Sequence, residues 1–122
     1  MPNRLPVQTP KFKVEFLEEA VKFLDSLNEK ARDKIIYNIT KAQYSNDKEL
    51  FKKLTDEIWE FRTLFNKTHY RLFAFWDKSD KTYTVVISTH GLIKKTDKTP
   101  LGDLDKAERL RKLYFEQKEQ KK

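Results

Sequence analysis

Residues 58–89 read IWEFRTLFNKTHYRLFAFWDKSDKTYTVVIST, and this stretch decides the fold. Ile58 to Phe65 (IWEFRTLF) is dense in aromatic and branched residues, which suit a pleated, half-buried surface. Asn66, Lys67 and Thr68 interrupt it as a turn, and His69 to Trp76 (HYRLFAFW) resumes it. Asp77 to Lys81 closes the second run, and Thr82 to Thr89 (TYTVVIST) forms the third. Three such runs separated by turn signals predict an antiparallel meander.

Upstream, Lys11 to Phe16 (KFKVEF) alternates polar residues with Phe12, Val14 and Phe16, which predicts a short strand. From Leu17 the period lengthens: Leu17, Ala20, Val21, Leu24 and Leu27 fall at helical spacing, with Glu18 and Glu19 in the first turn. Asn28 breaks the pattern, and Ala31, Ile35, Ile39 and Ala42 make the buried stripe of a second helix. The short connection predicts an antiparallel helical hairpin. Asp47 to Leu54 reads as a short third helix or an extended linker. Downstream, His90 to Thr99 (HGLIKKTDKT) reads as a basic loop. A last helix follows, capped by Thr99 and opened by Pro100 at its first position, or else starting at Asp103 or Asp105. Leu104, Ala107, Leu110 and Tyr114 give it an apolar face, widened by Leu113. The order strand, helix, helix, three strands, helix segregates the two kinds of element. It predicts an α+β domain with helices packed on an antiparallel sheet.

The chain has 122 residues, which fits a single domain over 1–122, with 1–10 and 117–122 as loose ends. With 13% aromatic residues it can build a core, and wholesale disorder is excluded. Without cysteine there is no disulfide scaffold, thiol nucleophile or cysteine-ligated zinc. The longest apolar run, Leu72 to Trp76, is far short of a membrane span, and the first ten residues lack the apolar core of a secretory signal. A cytoplasmic protein with no membrane association is expected.

The net charge of +7 is unevenly placed. Residues 1–61 carry 11 basic and 11 acidic side chains, whereas residues 62–98 carry 8 basic and 3 acidic. That distribution suits a polyanionic partner, and equally a basic protein that has none.

Among chemical motifs, neither glycine sits in a phosphate-binding frame, and no serine-hydrolase elbow is present. His69 and His90 are 21 residues apart without acids at ligand spacing, so neither a metal site nor a cofactor is expected. What remains is a basic–aromatic constellation. If Asn66 to Thr68 is a hairpin turn, Arg62 and Arg71 approach each other across two strands. Arg71 alternates with Phe73 and Phe75 and therefore needs an anionic partner or an exit at the sheet edge. A structural ion pair with Glu60 or Asp56 meets that need, and so does a role in anion binding. His90, Lys94, Lys95 and Lys98 follow the third run closely enough to attract phosphate, with Lys67 as a further basic contact. They also suit a solvated loop. Most of the aromatic residues are expected in the core, and some could stack on bases.

The block Lys53-Leu54…Trp59-Glu60-Phe61-Arg62, then Tyr70-Arg71, then His90-Gly91-Leu92-Ile93-Lys94-Lys95-Thr96, Lys98-Thr99-Pro100 and Ala107 resembles the HigB/RelE superfamily of bacterial toxins, in particular its phage Gp49-like branch. The resemblance implies a compact α+β domain with a curved antiparallel sheet. It implies the toxin of a type II toxin–antitoxin pair, a metal-independent endoribonuclease that cuts mRNA on the ribosome. A helix-turn-helix (HigA-like) antitoxin is the implied partner, with operator DNA bound only through that antitoxin. The site residues implied are Arg62, Arg71, Lys94 and Lys95, with His90 and Lys98 beside them. Leu92 departs from the pattern, since relatives commonly carry Phe there.

In that reading Arg71 and Arg62 stabilise the anionic transition state, Lys94 and Lys95 hold flanking phosphates, and His90 moves the proton. Arg71 is expected to be exposed at the site, so its removal is expected to spare the fold. Two rivals remain: a gyrase-inhibiting toxin of the related branch, with the same fold and a protein target, and a non-catalytic RNA-binding module that uses the same basic face.

Overall fold

The computed structural model describes residues 9–80, 84–94 and 101–120. The elements run β1 (Lys13–Phe16), α1 (Glu18–Asp25), α2 (Glu29–Tyr44), β2 (Phe51–Lys53), β3 (Trp59–Phe65), β4 (Thr68–Asp77), β5 (Val85–Lys94) and α3 (Leu101–Gln120). They form the α+β architecture read from the sequence, on one five-stranded sheet of order β1-β5-β4-β3-β2.

The meander is present, and its first hairpin turns on two residues. Phe65 pairs with Thr68, and both Asn66 (φ 51°) and Lys67 (φ 62°) are left-handed, as a tight hairpin turn with the strands' own twist requires. Asn28 caps α2, its side chain accepting the Ala31 amide at 2.9 Å.

Four expectations are corrected. The sheet is mixed, because β1 pairs parallel to β5. Helices α1 and α2 separate β1 from the meander, so no turn dictates an antiparallel pairing. Residues 47–54 form neither a third helix nor a mere linker; a turn at Asp47 leads into β2, which extends the sheet beside β3. The third strand does not stop at Thr89: β5 continues to Lys94, because β4 offers it a full partner as far as His69. His90 to Lys94 is therefore strand rather than loop. Finally, α3 already runs from Leu101, which displaces a start at Asp103 or Asp105. Leu113, expected to widen the apolar face, is exposed, and the partly buried Phe115 packs against the core instead. Thr99 and Pro100 lie outside the described residues.

Each face of the sheet has its own apolar layer. On one, α1 and α2 bury Ala20, Leu24, Ala31, Ile35, Ile39 and Ala42 against Phe61, Leu72 and Val86. On the other, α3 sets Ala107, Tyr114 and Phe115 against Phe73, Phe75 and Ile87. The C-terminal turns of α3 are anchored rather than loose. Tyr114 Oη (2.6 Å) and Lys118 Nζ (2.5 Å) both donate to the buried Asp77 carboxylate, which also accepts from Ser79. Burial works to raise Asp77, but the bonds from Lys118, Ser79 and Tyr114 overrule it and hold the carboxyl well below the usual carboxylate range.

Candidate active site

On β3, Thr63 turns toward α2, where Asn38 Nδ2 donates to its hydroxyl at 3.1 Å. Strand alternation therefore sends Glu60 and Arg62 to the opposite face, the one that α3 packs on. Arg62 stands directly across from Arg71 in the β3–β4 register, as the hairpin reading anticipated. Two like charges opposed across a ladder repel each other. Glu60 relieves this: its Oε1 lies 3.3 Å from Arg71 Nε and 3.6 Å from Arg62 Nε.

The structure corrects the expectation that Arg71 is exposed. Its side chain is 3% exposed and that of Glu60 2%, while Arg62 is 24% exposed. Arg71 Nη1 also donates to the Tyr70 carbonyl at 3.1 Å. Of the two alternatives for Arg71, the ion pair with Glu60 is present, and Arg62 is the guanidinium that reaches solvent. Glu60 Oε2 is buried and accepts no hydrogen bond among the described residues.

Lys94 is buried opposite His69, on the same side as Arg71. His90 also reaches this face, and it does so through a bulge. Leu72 pairs with Gly91 and Ala74 with Ser88, so both Thr89 and His90 stand opposite the single residue Phe73. The extra residue inverts the alternation beyond it. Ser88 remains on the α1–α2 side, whereas the His90 ring stacks on Phe73 at 4.9 Å between centroids. Gly91 is turned toward α1, where a Cβ would lie 2.3 Å from the Phe23 ring, so only a glycine fits beneath it.

His90 is buried and held at both ring nitrogens: Nε2 lies 3.1 Å from Asp103 Oδ1 and Nδ1 3.0 Å from Thr89 Oγ1. A carboxylate only accepts, so the neutral ring carries its proton on Nε2 and takes the Thr89 hydroxyl hydrogen at Nδ1. The Thr89 oxygen also lies 3.4 Å from the Phe73 carbonyl. A second proton on Nδ1 can therefore donate to Thr89, with the hydroxyl redirected to that carbonyl. Burial, opposed by the Asp103 bond, holds His90 below the ordinary imidazole value, which makes the neutral form the resting one.

The structure thus brings Arg62, Arg71, Lys94 and His90 to one face. Lys67 sits apart at the exposed hairpin tip, and Lys95 and Lys98 lie outside the described residues. Among the described residues, no three acidic or histidine side chains converge at metal-binding distance. Sequence reasoning gave Glu60 only a structural part and read Asp103 only as a helix start. The alternation of Glu60 with Arg62, opposite Arg71, was the available signal for the first. For the second there was none, because Asp103 meets His90 only through tertiary packing.

The cluster thus gathers three cations, one buried carboxylate and a histidine with two satisfied protonation states, and Arg62 is its partly exposed cation. Comparison with known families matches residues 22–112 to the family described as phage derived protein, Gp49-like; the matched span runs from α1 into α3 and includes every residue of this cluster. No curated protein matches the chain.

Proposed function

The chain belongs to the phage-derived Gp49-like family, part of the RelE/HigB-like toxin superfamily, and from that premise we propose that it is the toxin of a type II toxin–antitoxin pair and cuts ribosome-bound mRNA. Cleavage proceeds by attack of a ribose 2′-oxygen on the adjacent phosphorus. The 2′-hydroxyl proton leaves as the new P–O bond forms, the bond to the 5′-oxygen breaks, and that oxygen takes up a proton.

The observation that carries this reading is the Arg62–Arg71 pair on one face with Lys94 and His90. The half-buried Arg62 meets the scissile phosphate, and Arg71 adds positive potential from beneath. Lys94, buried on the same face, adds to that potential, and Lys95, Lys98 and Lys67 hold flanking phosphates. His90 moves the proton, which requires its Nε2–Asp103 bond to open or its Nδ1 side to face substrate. The partners are the ribosome, its mRNA and a helix-turn-helix antitoxin, and the compartment is the cytoplasm.

The test is incubation with translating ribosomes in excess zinc and manganese chelator, with magnesium kept to hold the ribosomes together. Wild type should yield mRNA fragments with 5′-hydroxyl ends. Arg62→Ala, a change at a partly exposed site, should lose cleavage by at least a hundredfold while remaining folded. Intact mRNA with blocked DNA supercoiling would replace this reading by gyrase inhibition. RNA binding without cleavage would leave a binding module.

A further inference from the structure

The face opposite the candidate site carries a second constellation of aromatic and basic residues. Trp59 and Trp76 are diagonal neighbours on β3 and β4, since Trp59 pairs with Ala74. Their rings meet edge-on at 5.5 Å. Phe51 backs Trp59 at 4.9 Å and Phe12 backs Trp76 at 5.2 Å, so both indoles are braced from the core side. Neither is fully buried.

Two cavities meet at this pair. One, ≈ 350 Å³, lies between the tryptophans and the end of α2, with Phe12, Phe51, Lys11 and Lys48 in its walls. The other, ≈ 530 Å³, lies on the far side with Lys53 and Lys78. Of the nearby acids, Glu57 pairs with Arg111 at 2.9 Å, the exposed Asp56 sits 4.0 Å from Lys53, and Asp47 accepts the Glu49 backbone amide at 2.8 Å. Lys11, Lys48 and Lys78 make no ion pair among the described residues, and the Lys78 ammonium rests 5.5 Å from the Trp76 ring centre. Braced, partly exposed rings with exposed lysines at the rim are what unpaired bases and their phosphates require.

We infer that the Trp59–Trp76 cleft is a second RNA contact, a stacking site for unpaired bases of single-stranded RNA, with Lys48 and Lys78 on the flanking phosphates. It is separate from the cleavage chemistry and stands or falls independently of it. Trp59 and Trp76 are the only tryptophans of the chain, so their emission reports on this cleft.

The probe is an eight-residue oligoadenylate with 2′-O-methyl groups, which the 2′-hydroxyl route cannot cut. Titration into the full chain should quench the emission saturably. With the two phosphates at Lys48 and Lys78 neutralised, binding should weaken about sevenfold between 50 and 200 mM salt. Lys48→Glu with Lys78→Glu, both at exposed positions, should weaken it at least tenfold, whereas Arg62→Ala should bind within twofold of wild type. Absence of quenching overturns the inference. So does quenching that survives the double charge reversal, or that Arg62→Ala abolishes, since the oligonucleotide would then sit elsewhere. Stronger quenching by polyglutamate would reassign the cleft to an acidic protein and overturn it as well.

Discussion

Replacing Arg71 by Ala should destabilise the fold, and the structure gives the scale. Arg71 Nε and Glu60 Oε1 are 3.3 Å apart with both side chains almost wholly buried. At an effective dielectric constant of about 20, their attraction is about 5 kcal/mol before desolvation. Removing one member of a buried pair leaves the other charged and poorly solvated, which costs about 3–5 kcal/mol. In Arg71→Ala the Glu60 carboxylate keeps Arg62, at 3.6 Å, as its remaining ion-pair partner among the described residues. A loss near 4 kcal/mol is a large part of the roughly 5–15 kcal/mol that holds a domain together. With a urea slope of about 2 kcal/mol per molar, the unfolding midpoint should fall by about 2 M. The assay is urea denaturation of wild type, Arg71→Ala, Glu60→Gln and the double variant. The double variant should recover at least about 1.5 kcal/mol relative to the sum of the singles, because each single alone already forfeits the shared Arg71–Glu60 attraction. A midpoint shift below about 0.5 M for Arg71→Ala, with additive singles, would refute the buried-pair argument. Loss of toxicity in Arg71→Ala reports on the site only where the variant is shown to be folded.

Three further outcomes follow from particular contacts. Lys67→Gly should raise the melting temperature by about 3–5 °C, because the left-handed conformation at Lys67 costs a side-chain-bearing residue about 1 kcal/mol; an unchanged or lower value would refute the turn assignment. Gly91→Ala should cost about 1–3 kcal/mol by driving a methyl into the Phe23 ring, and Phe23→Leu in the same chain should recover part of it; a neutral Gly91→Ala would show that α1 sits farther from β5. The depressed Asp77 carboxyl stabilises the fold at every pH above its unfolded range, and that contribution is lost as pH falls through the folded value; Asp77→Asn should therefore be less stable than wild type at pH 7 and lose less on acidification below about pH 4, and parallel acid-unfolding curves would contradict this.

Much of this molecule was legible in its residues alone. Alternation and turn chemistry over 58–89 identify the meander, helical spacing over 17–42 identifies the two helices on its face, and Asn66-Thr68 places Arg62 opposite Arg71. These are local or near-neighbour properties, set by the periods of strand and helix and by the reach of a two-residue turn. The partner of β1, the continuation of β5 through His90 to Lys94 and the burial of Arg71 were decided elsewhere. Each depends on segments far apart in the chain: β5 arriving beside β1, β4 extending to His69, and Glu60 aligning under both arginines. The bulge opposite Phe73 is the sharpest case. Strict alternation puts His90 with Ser88, on the side of α1 and α2, away from the arginines. One extra residue in β5 reverses that, bringing His90 onto Phe73 and Asp103 and leaving Gly91 under Phe23, because the ladder is settled by packing on both faces at once and not by the period of one strand.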